Sequence, residues 1–241
     1  MAIQETKRGI FVPTFHSQAN VFKADIVGGI FGNEPLSTPH INGNDLSAVN
    51  ISLVDFAANL RQSEVNSLMK KRLKGEDCNM SDRNFSISPF YPAYNLGMEH
   101  GYFFADGNTG IILEAKSEFE DGLSLGLAMA SFDFPKKAGG NPVIVQLQTF
   151  SPREAVGDDF IHLKAEATSV LKQFRWEKAL IDIVMIWARG ENFPFLYVQP
   201  GSENYYVKLH SLENRARIRY DMTAERMGFE KMSNGLWGYK L

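Results

Sequence analysis

Pro142-Val-Ile-Val-Gln-Leu-Gln-Thr-Phe150 is the point at which the chain changes texture. It is the last of a series of short apolar segments with no helical period: Phe85 to Tyr91, Gly101-Tyr-Phe-Phe-Ala105, Gly110-Ile-Ile-Leu-Glu-Ala115 and Leu123 to Phe134 come before it. Asp106-Gly-Asn108 and Glu120-Asp-Gly122 separate these runs as turn signals, so the segments read as an antiparallel meander. After Phe150 the apolar residues recur at helical spacing. Residues 160 to 189 are rich in helix formers, with Trp176, Leu180, Ile183 and Trp187 on one face and Ala179, Ile181, Ile186 and Ala188 broadening it, which predicts a helix buried on most sides. Phe195-Leu-Tyr-Val198 reads as a short strand and residues 212 to 227 as an amphipathic helix, while Gly235 to Leu241 closes the chain as a strand.

Upstream of the meander, Leu53, Phe56, Ala57, Leu60, Val65, Leu68 and Met69 predict one helix over 52–73. Ser52 is its candidate N-cap, and Gly75 lies just past its end. Residues 1 to 51 mix short β-like runs with turns and read as an N-terminal extension packed on a domain formed by residues 52 to 241. The expected fold class is α/β, with a mixed and largely antiparallel sheet flanked by helices.

Composition bounds the function. With 241 residues, 44% of them hydrophobic, the chain has ample core, and disorder or a collagen-like architecture is excluded. A net charge of −3 argues against a nucleic-acid partner, which calls for a basic surface. Cys78 stands alone, so the expectation is a reducing, cytoplasmic location. The most apolar stretch, Ala179 to Ala188, contains Asp182 and falls short of the roughly 20 residues that span a bilayer, so no membrane partner is expected. The histidines His16, His40, His100, His162 and His210 are dispersed, and no metal is expected. Gly157-Asp158-Asp159 reads as the start of a helix, where acids complement the dipole. No nucleophile elbow, phosphate-binding P-loop or dinucleotide glycine fingerprint occurs.

Arg219-Tyr-Asp-Met-Thr-Ala-Glu-Arg-Met-Gly-Phe229, together with the strand-helix-strand-helix order of residues 172 to 241, resembles the C-terminal half of a GCN5-related N-acetyltransferase domain. In outline the resemblance covers the chain from about residue 52, with motif-like letters confined to the last third. It implies an acyl-coenzyme A N-acyltransferase-like fold in which a cleft opens where a fourth and a fifth strand, running parallel, splay apart. It implies acetyl-CoA or another acyl-CoA as co-substrate and a small amine as acceptor, and a homo-oligomer is compatible with it. Tyr220 matches the tyrosine that protonates the departing thiolate in the family. Lys172, Gln173, Arg175 and Lys178 fall on the segment that meets the coenzyme pyrophosphate, Gln148 lies on the fourth-strand analogue, and Asn204 matches an asparagine beside the coenzyme. The two glycines that let family backbones approach the pyrophosphate are replaced, by Arg175 and Glu177 in one register and by Trp176 and Lys178 in the next.

Two readings stay open from the residues. One is an acyl-CoA dependent N-acyltransferase in which basic side chains do the work of the missing glycines. The other is a module of the same fold that has lost coenzyme binding and serves binding or assembly. A third, in which an acyl carrier protein or aminoacyl-tRNA replaces free coenzyme A, ranks last because the basic clusters at Lys70 to Lys74 and Arg215 to Arg219 are diluted by acids.

Overall fold

The meander is present, and the chain order of its strands is their spatial order. β1 (Phe85–Phe90), β2 (Thr109–Lys116), β3 (Ser124–Asp133) and β4 (Val143–Thr149) pair antiparallel one after another. β4 then runs parallel to β5 (Phe195–Val198), and β7 (Trp237–Lys240) joins β5 to β6 (Glu230–Lys231) in the order β1-β2-β3-β4-β5-β7-β6. The computed structural model describes residues 46–75, 83–90, 107, 109–118, 124–149, 157–204 and 213–241. The strand expected at Gly101 to Ala105 and residues 1 to 45 of the expected extension lie outside them.

The pleat separates two faces. Ile111, Leu113 and Ala115 on β2 and Leu125, Leu127, Ala130 and Phe132 on β3 form one core with Leu53, Val65, Met69, Val170, Leu180 and Trp187 from four helices. Those helices are α1 (Leu46–Asn59), α2 (Gln62–Lys70), α3 (Gly157–Gln173) and α4 (Trp176–Gly190). Phe132 meets Trp187 with ring centroids 5.0 Å apart, and Phe85 meets Phe174 edge to face at 5.9 Å, so α4 and the end of α3 sit directly on the sheet. By alternation the other face of β2, β3 and β4 carries Glu114, Met129, Ser131, Gln146 and Gln148, of which the first four are buried. No described helix is long and apolar enough to cross a membrane.

All three expected long helices are broken. The helix expected over 52–73 is α1 followed by α2. Arg61 takes extended backbone between them, and its N–H donates to the Glu64 carboxylate at 2.9 Å, which opens a new helix rather than extending the old one. Ser52 is therefore not an N-cap. It lies inside α1, where its hydroxyl accepts from Trp187 Nε1 at 2.9 Å. α1 also begins at Leu46, upstream of residue 52, and buries Val49 alongside Leu53.

The helix expected over 160–189 is α3 followed by α4. Phe174 is fully buried at the junction, and the backbone there pairs with the end of the α2 segment instead of with itself. Lys74 N–H donates to Gln173 O at 2.9 Å and Arg175 N–H to Arg72 O at 2.8 Å. Asp158 and Asp159 fall in the first turn of α3, as their dipole-complementing reading requires. The third helix, expected over 212–227, is α5 (Glu213–Arg219) and α6 (Asp221–Arg226), with Tyr220 at the joint.

Candidate functional site

The pairing of β4 with β5 is short. Val143 faces Tyr197 and Ile144 faces Val198, and Gln199 N–H donates to Ile144 O at 2.9 Å. β5 then stops, and the chain turns through Pro200 into a 3-10 turn at Gly201–Glu203, while β4 continues to Thr149. A strand that loses its neighbour exposes backbone donors and acceptors that must be matched by something else. Here side chains match them. Asn204 Nδ2 donates to Val145 O at 3.4 Å, Leu147 N–H donates to the Tyr220 phenolic oxygen at 2.9 Å, and Arg219 Nη1 donates to Leu147 O at 3.4 Å. Asn204 Nδ2 also donates to the Tyr220 oxygen at 3.1 Å.

Two local devices bring these side chains to β4. A Cβ at Gly201 would stand 2.7 Å from the Ala216 carbonyl carbon, so only glycine lets the turn lie this close to the backbone of α5. Asp221, the first residue of α6, accepts from Gly201 N–H at 3.1 Å and from Trp237 Nε1 at 2.7 Å, tying the turn, the helix and β7 together. Tyr220, 4% exposed, is thereby held at the helix joint with its hydroxyl in the opening between the strands.

The start of α4 lies beside this opening. The Arg219 guanidinium that reaches β4 also sits over the Trp176 ring, 5.2 Å from its centroid, and Trp176 is the first residue of α4. Around that helix start is a group of cations. Burial first, and then the guanidinium groups of Arg72, Arg175 and Arg226, push the Lys178 ammonium below its ordinary range, with Asp182 acting the other way. Lys178 Nζ points at Arg226 O, 3.5 Å away. Arg72 is held in place by a two-point pairing with Asp182 at 2.6 and 2.7 Å. Burial also pushes the Glu177 carboxyl up, opposed by its own backbone N–H, by Arg219 and by Lys74.

The structure thus divides the expected site residues into two groups. Tyr220 and Asn204 are in contact in the opening. Lys178 and Arg175 stand at the α4 start, Lys178 buried and Arg175 exposed, with Arg175 N–H engaged by Arg72. Lys172 is exposed in the last turn of α3, and Gln173 offers its carbonyl to Lys74. Residues 172 to 178 are consequently a junction between two helices and not a loop leaving a strand, because the α2 segment engages their backbone. Gln148 lies on the opposite face of β4 from Leu147, accepting from Gln146 Nε2 at 2.7 Å.

Arg219, which connects the two groups, and Arg72, which helps build the cation cluster, were visible in the sequence only as members of the basic runs Lys70 to Lys74 and Arg215 to Arg219. Arg72 is separated from its Asp182 partner by 110 positions. The buried Glu166 carboxylate accepts from Arg83, Ser117 and the Glu118 N–H. Glu114 lies on the β2 face among serines, with Ser124 Oγ at 3.1 Å and Ser86 Oγ at 3.5 Å. His162 is exposed on α3, and no described group of three or more His, Cys, Asp or Glu residues is arranged to hold a metal ion.

Compared with family models, with curated proteins and with solved structures, the chain matches none.

Proposed function

We propose that the chain is an acyl-coenzyme A dependent N-acyltransferase that moves an acetyl or other acyl group to a small amine. One observation carries the reading: a parallel strand pair that opens after two residue pairs, with the Tyr220 phenol in the opening, lies next to a cluster of cations at the start of a long helix. Arg72, Arg175, Lys178 and Arg226 bring to the coenzyme phosphates the positive charge that close backbone N–H groups bring in a glycine-bearing loop. Arg219 spans the distance between that charge and β4. When bound, the coenzyme supplies the activated thioester. Tyr220 supplies a proton from within the opening, in a surrounding that excludes bulk water.

The edge of β4 supports a second reading. Asn204, Tyr220 and Arg219 already meet Val145 O, Leu147 N–H and Leu147 O, much as a neighbouring strand would. That arrangement suits a binding or assembly module that needs no coenzyme.

Calorimetric titration with acetyl-CoA and with coenzyme A, with thermal melts alongside, separates the two. The acyltransferase reading expects micromolar binding and a rise in melting temperature. No heat and no shift at millimolar ligand overturns it in favour of the module. Arg175→Ala is expected to weaken coenzyme binding about tenfold, the loss of one charge-assisted contact.

A further inference from the structure

Lys178 is buried in the first turn of α4, where the positive end of the helix dipole already disfavours a cation. The charges around it make matters worse. Arg72 approaches from the segment after α2, Arg175 from the α3–α4 junction and Arg226 from the end of α6, while Asp182, one turn along α4, acts in the other direction. Both oxygens of Asp182 accept from Arg72, at 2.6 and 2.7 Å. Glu177, next in the chain, is coupled to Arg219 and Lys74. None of the described ion pairs uses Arg175, Lys178 or Arg226. The ammonium carries three N–H donors, and its contact with Arg226 O is long, 3.5 Å.

Lost hydration and like-charge repulsion both favour the neutral amine, so in the free chain Lys178 gives up its proton more readily than a solvated lysine does. An anion among the guanidinium groups reverses both effects, by cancelling the repulsion and by giving the ammonium acceptors. From this arrangement we infer that the start of α4 is a proton-coupled anion site: a phosphate-bearing ligand that settles among Arg72, Arg175 and Arg226 brings with it a proton, which Lys178 takes up. That the anion is the coenzyme's phosphate groups rests on the acyltransferase reading; the coupling rests on the cluster alone. The proton comes from solvent to the Lys178 Nζ lone pair, and no other bond forms or breaks. Affinity is accordingly highest at low pH, where Lys178 is charged with or without ligand. It falls as pH rises through the free-chain value and levels off above the value in the complex.

Calorimetry of the full chain with acetyl-CoA and with inorganic pyrophosphate, from about pH 7 to about pH 10 in buffers of different ionisation heat, counts the protons bound with each ligand. Lys178→Arg is the reference, because a guanidinium stays charged throughout and the protons of the ligand itself are the same for both proteins. Wild type is expected to take up about one proton more per ligand than Lys178→Arg, and its Kd to rise about tenfold per pH unit where that uptake occurs. Lys178→Met replaces the arginine variant if that does not fold. It is expected to show no extra uptake either and to bind about tenfold more weakly at pH 7.

Equal proton uptake by wild type and Lys178→Arg at every pH would overturn the inference, and acetyl-CoA binding in that case would leave the acyltransferase reading standing. Pyrophosphate bound with the extra proton while acetyl-CoA does not bind would do the reverse, sinking the acyltransferase reading and supporting the anion site. Failure of both ligands to bind at millimolar concentration would overturn the two together.

Discussion

At the scale of single residues, the hydroxyl of Tyr220 serves two ends at once. It is the acceptor for Leu147 N–H and for Asn204, in a place where no described strand neighbours β4. From the sequence, Tyr220→Phe is expected to lower turnover with little change in stability. The structure adds a cost, because phenylalanine leaves a buried N–H without its acceptor, worth about 1–3 kcal/mol. Tyr220→Phe is therefore expected to lose both turnover and that much unfolding free energy, the second measured by urea titration. Unchanged stability would show that Leu147 N–H finds another partner.

Glu114 yields a prediction in pH. Burial pushes its carboxyl above the ordinary range, against the hydroxyls of Ser88, Ser124 and Ser86. A folded-state value above the unfolded one means the folded chain holds the proton more tightly. That contribution to stability is full below the unfolded value of 4.5 and is lost as pH rises through the raised value. Glu114→Gln, which keeps the hydrogen-bonding shape without the charge, is expected to melt above wild type at about pH 8, and the gain should vanish at or below pH 4.5. A gain of equal size at both ends would assign the effect to packing.

At the scale of elements, the α1–α2 break traces to a competing cap and the α3–α4 break to contacts distant in sequence. No proline or glycine marks the α3–α4 junction. It forms because Phe174 is buried against Phe85 and because the α2 end supplies backbone partners. Apolar period alone reads straight through such a point, since both helices share one core. The strands were more legible: Phe195–Val198 has the bounds its letters suggest, and the four described strands of the meander pair in chain order.

The turn at Gly201–Glu203 and α5 form the element pair on which the site depends. Gly201→Ala places a Cβ against the Ala216 backbone, which cannot move aside as a flexible side chain would. It is expected to destabilise the fold by about 1–3 kcal/mol, as overpacking does. It should also separate Asn204 from Tyr220, read as faster exchange at Leu147. A melting temperature equal to wild type would contradict the close approach.

At the scale of the whole molecule, the cation cluster is an assembly of four elements: Arg72 follows α2, Arg175 and Lys178 open α4, Arg219 ends α5 and Arg226 ends α6. Charge gathered on a chain with net charge −3 acts locally, and salt screens it. The Debye length contracts from about 10 Å at 0.1 M to about 3 Å at 1 M salt. Coenzyme affinity is accordingly expected to weaken as ionic strength rises, and a Kd indifferent to salt would rule out the cluster as the phosphate site. Arg219→Lys keeps the charge but loses the planar stacking on Trp176, so it should retain more of the affinity than Arg219→Gln.

By itself the sequence determined the class of the fold, because strand and helix periods and turn residues are local properties. The meander, the change of texture after Phe150 and the closing strand were all readable in that way. It also placed Tyr220 and Asn204 as residues worth watching. What those two side chains do was decided only in three dimensions. Among the described residues β5 ends before β4 does, the requirement that buried backbone groups be matched draws Tyr220, Asn204 and Arg219 onto the edge of β4, and residues far apart in the chain gather their charges around the start of α4.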